Sequence, residues 1–256
     1  MEGALPQPVV ERVSPAARYG LRVTLLIVAF VLVTVPFAFL LFEVVAKGPI
    51  TRVDASIANT MNGWVHAHPL LVDVLQLISW FGLPLWLAIC VAAGSVFAWR
   101  RHRHRLAAYL VVTVIGGSLV DTAVKLIVNR PRPVVDHPLD TAFGTSFPSG
   151  HSMAATLTYG SLVLAFLPVL SRRGRRIAIV SATVVVLAIG SSRLLLGVHF
   201  LSDVIGGYVL GGAWLLAATA LFEIWRDDEG KRQLSTTEVL TEGVEPEAKR
   251  ALTSSG

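Results

Sequence analysis

Six stretches of this chain are apolar enough, and long enough, to cross a bilayer, and that constrains the fold before anything else does. A membrane-spanning helix needs roughly 20 mostly apolar residues. Runs of that kind lie at residues 21–42, 70–99, 106–124, 153–170, 177–196 and 204–225. Within hydrocarbon each backbone N–H and C=O must be bonded inside the protein, and a helix meets that demand segment by segment. The expectation is an all-α, polytopic membrane protein built as a six-transmembrane-helix bundle. Composition agrees: 54% of the 256 residues are hydrophobic and 15% are charged, against about 25% charged in soluble domains. A single cysteine excludes a disulfide scaffold.

The run at 70–99 contains Gly82 and Pro84 and is read as one kinked helix. The first run exceeds the h-region of a signal peptide, about 7–15 residues, and is read as an uncleaved anchor. The expected organisation is a cytoplasmic segment at 1–20, a membrane domain at 21–226 and a polar, disordered cytoplasmic tail at 227–256. Between the first two runs, residues 53–65 are expected to form a short interfacial helix.

The net charge of +5 suits a membrane topology better than a nucleic-acid partner, because its cations sit in clusters between apolar runs. Arg12, Arg18 and Arg22 precede the first span; Arg100, Arg101, Arg103 and Arg105 join the second and third. Arg172, Arg173, Arg175 and Arg176 join the fourth and fifth, and Arg226, Lys231 and Arg232 follow the sixth. With six spans all four clusters share one side, which the positive-inside rule makes cytoplasmic, with both termini inside. The chain is therefore expected in the inner (plasma) membrane.

The ionisable residues left over gather at the opposite, outer face: Lys125, Arg130, Arg132, His151, Arg193, His199 and Asp203. Such groups are costly near a bilayer, so their convergence suggests a site. In Lys125-Leu-Ile-Val-Asn-Arg130-Pro-Arg132-Pro133 the prolines stop the helix and hold the arginines on an extended segment. Three neighbouring cations suit a phosphate, although lipid-headgroup anchoring explains this stretch alone equally well. Pro148-Ser149-Gly150-His151 opens the fourth run with a capping serine, a close-approach glycine and free helix N–H groups beside an imidazole. In isolation that tetrapeptide reads as a plain capping turn with an interfacial His. Ser192-Arg193 and His199-Phe-Leu-Ser-Asp203 complete the set. The i,i+4 spacing puts His199 and Asp203 on one face, where the carboxylate can fix the imidazole tautomer. Taken alone, this segment reads as a structural His–Asp pair.

Together these segments resemble the signature of the phosphatidic acid phosphatase type 2 superfamily: K-x6-R-P, P-S-G-H and S-R-x5-H-x3-D, in order and without substitution. The resemblance implies a metal-independent lipid phosphatase with no cofactor, its active site at the outer helix ends and facing the periplasm or exterior. His199 would be the nucleophile forming a phosphohistidine, Asp203 its orienting carboxylate and His151 the general acid. Lys125, Arg132, Ser149, Gly150 and Arg193 would bind the phosphoryl oxygens, with Arg130 as an auxiliary contact outside the pattern. Implied partners are the bilayer and a lipid phosphate: undecaprenyl or other polyprenyl diphosphate first, then phosphatidylglycerol phosphate and phosphatidic acid. A lipid transporter or scramblase retaining an anion site is the competing class. A vanadium-dependent haloperoxidase shares the motifs, but those enzymes are soluble.

Other residues read as structural. Asp121 is expected to pair with Lys125 one helical turn on, and Gly207 and Gly211 to pack helices. Trp64, Trp80 and Trp86 suit an interface or packing, and Asp54, Asn59 and Asn62 the outer-loop helix. Cys90 is read as inert, and His66, His68, His102, His104 and His137 as solvated.

Overall fold

A computed structural model describes residues 31–222. The expectations for 1–20 and for the tail at 227–256 lie outside the described residues, as do residues 21–30 of the first run. Helices α1 (Val31–Val45) and α2 (Pro49–His66) are followed by α3 (Pro69–Trp80) and α4 (Pro84–Arg100). Then come α5 (His104–Val128), α6 (Gly150–Phe166), α7 (Arg172–Leu195) and α8 (Leu201–Phe222). No strand occurs among the described residues. Four helical segments are long and apolar enough to span a membrane, or up to six spans if each bent pair counts as one.

Helix boundaries follow local chemistry. Proline opens α2, α3 and α4, where its missing N–H costs nothing. Ser171 caps α7 by accepting from the Gly174 N–H at 3.1 Å. Asn129 ends α5 in the left-handed region, φ 44°, and Pro131 and Pro133 keep the chain extended beyond it. The seventh helix begins at Arg172, five residues ahead of its apolar run.

The run at 70–99 is two helices rather than one kinked helix. Residues 81–83 separate α3 from α4 and the axes bend by 42°. Pro84 opens the second helix, and Gly82 lies where a Cβ would stand 2.8 Å from His151 Cδ2. The outer-loop helix is longer than 53–65, and α2 turns 83° from α1 to pack on α7 and α3.

Much of the apolar side-chain surface faces outward. On α5, Ile115, Leu119, Leu126 and Ile127 are exposed, on a helix that contains an 18-residue stretch of mean hydropathy 1.8. Bilayer is the solvent such a surface fits. Inside, α6 and α8 meet at small residues, as expected of Gly207 and Gly211. A Cβ on Gly207 would stand 2.6 Å from the Ser149 carbonyl, and one on Gly211 3.1 Å from Thr156 Cβ. That close approach brings the start of α6 against the start of α8.

Candidate active site

Alternating spans bring the C-terminal ends of α5 and α7 and the N-terminal ends of α6 and α8 to one face. The segment from 129 to 149 crosses that face and is tied down along its length. Gln76 donates to Leu139 O and Asn62 to His137 O. Ser146 binds back to Arg130 O and Pro131 O, both at 2.9 Å. The loop therefore holds Arg130, Arg132 and Asp140 over the helix ends.

His199 and Asp203 lie at the entry to α8, 2% and 0% exposed. His199 precedes the helix, and Asp203 reaches back to accept the Phe200 N–H at 2.9 Å, half of a capping box. His199 Nδ1 stands 3.5 Å from Asp203 Oδ2. This is ion-pair range but short of the expected hydrogen bond, and Nδ1 has no other partner. The reason is competition: Asp203 Oδ2 serves Phe200 and Oδ1 accepts from Arg130 Nη1 at 2.6 Å. Arg132 Nη1 lies 3.2 Å from His199 Nε2. A guanidinium can only donate, so Nε2 carries the lone pair and Nδ1, facing Asp203, carries the proton. Burial pushes the His199 pKa below its ordinary value; Asp203 opposes the shift, and Arg132 and Arg193 add to it. Burial and the Arg132 contact both favour the neutral imidazole.

The cations are placed by different means. Lys125 donates to Asp121 Oδ1 and Oδ2 at 2.8 and 2.7 Å, the expected i,i+4 pair, and also to Pro148 O at 2.8 Å. Gly150 leaves room beside it, since a Cβ there would stand 3.3 Å from Lys125 Nζ. Arg132 donates to the carbonyls of Val198, Gly144 and Phe143. Arg193 is 4% exposed and donates to Ser79 Oγ and Asp140 Oδ2, both at 2.6 Å. Asp140 therefore occupies, as an internal carboxylate, an anion position on Arg193. His151, on α6, sits within electrostatic reach of Arg193, His199, Asp140 and Arg132.

Three buried polar atoms around these groups have no partner: Ser149 Oγ, His151 Nε2 and Arg193 Nε. Ser149 stands at the N-cap of α6 but makes no side-chain cap bond. Its N–H donates to Asp203 O at 2.9 Å instead, joining α6 to α8. Unsatisfied buried groups are costly, and each of the three is able to bond an oxyanion.

All eight expected site residues lie at this face. Arg130 differs from expectation: it is 8% exposed and bonded to Asp54, Ser202 and Asp203, so it points into the protein. Asp54, Ser79, Asp140 and Ser202 were missed by sequence reasoning. A signal existed for Asp54, because Asp54, Ala58, Asn62 and Val65 form one buried stripe on α2. The exposed histidines His66, His68, His102, His104 and His137 are solvent-facing as expected, with His66 and His137 stacked at 4.0 Å.

Residues 106–227 match the model of the PAP2 superfamily. Phosphatidylglycerophosphatase B of Bacillus subtilis (strain 168) is 36% identical over 137 residues, covering 52% of this chain; the match spans 64% of that relative's length. Undecaprenyl-diphosphatase BcrC of the same organism is 27% identical over 158 residues, 60% of this chain and 76% of the relative. Among solved structures, a transmembrane PAP2 type phosphatidylglycerolphosphate phosphatase from Bacillus subtilis superposes with a TM-score of 0.69. It is 25% identical, and the match covers 76% of this chain and 96% of that one.

Proposed function

Since this multi-pass membrane protein carries a PAP2 superfamily domain over residues 106–227, we propose that it hydrolyses a phosphate or diphosphate ester of a lipid through a phosphohistidine. The observation that carries this reading is the set of unpartnered donors, Ser149 Oγ, His151 Nε2 and Arg193 Nε, around a buried neutral imidazole.

In this mechanism the substrate phosphoryl group displaces Asp140 from Arg193 and draws Arg132 off His199 Nε2. Nε2 attacks phosphorus and the P–O bond to the lipid breaks; His151 gives its proton to the departing oxygen. Asp203 takes up the charge that grows on the imidazole. Water, deprotonated by His151, then attacks phosphorus and frees His199 and inorganic phosphate. Lys125, Arg132, Arg193 and the Gly150 N–H face the equatorial oxygens, where charge develops.

The bilayer suits a substrate with an apolar tail. Leu126 and Ile127, next to Lys125, are exposed apolar residues. A small cavity between α5 and α6, lined by Gly117, Asp121, Gly150, Met153 and Leu157, lies beside the Asp121–Lys125 pair. Undecaprenyl diphosphate, phosphatidylglycerol phosphate and phosphatidic acid all fit that chemistry. Phosphate release by purified protein from such a panel is the test; binding or movement of these lipids without any release would favour a transporter or scramblase.

Orthovanadate is expected to inhibit and EDTA to have no effect. Five-coordinate vanadate on His199 imitates phosphorus in flight, and transition-state analogues bind about 10²–10⁸-fold more tightly than substrates. Lys125, Arg132 and Arg193 supply the charge that a metal supplies elsewhere. Activity lost to EDTA and restored by Mg²⁺ would contradict the mechanism.

We further propose that the site faces the periplasm or exterior of the inner (plasma) membrane, because Arg100–Arg105 and Arg172–Arg176 lie at the opposite helix ends. Asp136 and Arg173 are both exposed. Asp136→Cys should label with an impermeant thiol reagent once only the outer barrier is permeable, and Arg173→Cys only after lysis. The reverse pattern would overturn this orientation.

A further inference from the structure

Asp203 is held by more than its histidine. Arg130 Nη1 donates to Asp203 Oδ1 at 2.6 Å and to Ser202 Oγ at 2.7 Å, while Nη2 donates to Asp54 Oδ2 at 2.8 Å. Asp54 Oδ1 accepts the Ser202 N–H at 3.0 Å, and Oδ2 accepts a short bond from the Ser202 hydroxyl. The Arg130 guanidinium lies 4.1 Å over the Phe200 ring. Asp54, Arg130, Ser202 and Asp203 are all at most 8% exposed. The fork thus clamps the first turn of α8 to α2, which lies outside the span matched by the family. Nothing in the proposed chemistry requires either Asp54 or Arg130 to touch substrate.

We propose that Arg130 and Asp54 are positioning residues for the phosphoryl-transfer site: Arg130 fixes the Asp203 carboxylate behind His199, and Asp54 balances its charge. The proposal rests on His199 being the nucleophile. Arg130 takes Asp203 Oδ1, so that Oδ2, which also accepts the Phe200 N–H, is the oxygen 3.5 Å from His199 Nδ1. Charge arithmetic gives each residue a distinct signature. Asp54, Arg130 and Asp203 together carry −1 behind His199. Removing Arg130 makes that −2, which favours the imidazolium; removing Asp54 makes it zero, which disfavours it. The other charged or titratable groups facing His199 are Arg132 on the loop, Arg193 on α7 with its Asp140 partner, and His151 on α6. Neither substitution touches them.

The test is the pH profile of kcat/KM for full-length protein in detergent, using one lipid phosphate throughout so that the substrate's own ionisation cancels. Attack needs neutral His199, so its protonation sets the acid limb. Arg130→Gln should move that limb up, and Asp54→Asn should move it down. Each shift should be about one pH unit, the scale of one unit charge behind the carboxylate. In both variants kcat should fall more than KM changes. If Arg130→Gln does not fold, Asp54→Asn/Arg130→Gln removes both charges together, restores −1 behind His199 and should bring the limb that Asp54→Asn lowers back to the wild-type position. Shifts in the same direction, no shifts in the single variants, or a double variant whose limb stays with Asp54→Asn would overturn the proposal, provided His199→Ala is inactive on the same substrate. A fully active His199→Ala removes the premise, and the proposal with it.

Discussion

Replacing His199 with alanine is expected to abolish phosphate release, by 10⁴-fold or more, on the order of the losses seen when a covalent nucleophile is removed. His199 Nε2 is held with its lone pair toward Arg132, at the position where a phosphoryl group would sit among the cations. No other imidazole can substitute from the same side. His151 starts α6 and is assigned to the departing oxygen, and the remaining five histidines are exposed. The fold should survive, because His199 adds no bond to the buried clamp on Asp203. Phosphate release from the wild type and the variant, each shown monodisperse in detergent, makes the comparison. Near wild-type turnover by His199→Ala would remove the nucleophile from the mechanism.

Asp203→Asn should cost nearly as much. The carboxylate stabilises the proton on Nδ1 and the positive charge that forms as Nε2 bonds to phosphorus. Losing the equivalent carboxylate in a Ser-His-Asp triad costs about 10⁴-fold, and the 3.5 Å contact here sets the expectation at about 10²–10⁴-fold. The loss should lie in kcat, because Asp203 is fully buried behind the imidazole. The substitution also leaves the Arg130 charge less compensated, so a lower melting temperature should accompany it. A stability loss with an unchanged rate would make Asp203 a structural residue alone.

The parts of this protein legible in its sequence are those written in local pattern. Apolar runs of membrane length, proline at helix starts and arginine clusters at alternate loops place the helices and bring Lys125, His151, Arg193 and His199 to one face. The Asp121–Lys125 pair and the glycines at 207 and 211 follow from helical spacing and hold in the structure. The contacts that escaped are those between segments far apart in sequence. Asp54 meets Ser202 across 148 positions, and a buried carboxylate announces itself only through the stripe it shares with Ala58, Asn62 and Val65. Asp140 sits in a loop with no periodicity, so its bond to Arg193 depends wholly on how that loop is tethered by Asn62 and Gln76. Arg130 reads as one more cation for phosphate because spacing cannot tell which way an arginine on an extended segment turns. The break between α3 and α4 was visible as Gly82 and Pro84. Whether such a pair kinks a helix or ends it depends on what packs there, and here His151 and Ile189 fill the gap.

The central claim is a phosphoryl group carried on His199. It is tested most directly by mixing the protein with a ³²P-labelled lipid phosphate, quenching in alkali within the first turnover and locating the label on the chain. The account predicts protein-bound label that survives alkali, is lost in acid, maps to the peptide containing His199 and is absent from His199→Ala. Phosphate released at the wild-type rate with no label on the protein, or with the label still present in His199→Ala, would contradict it.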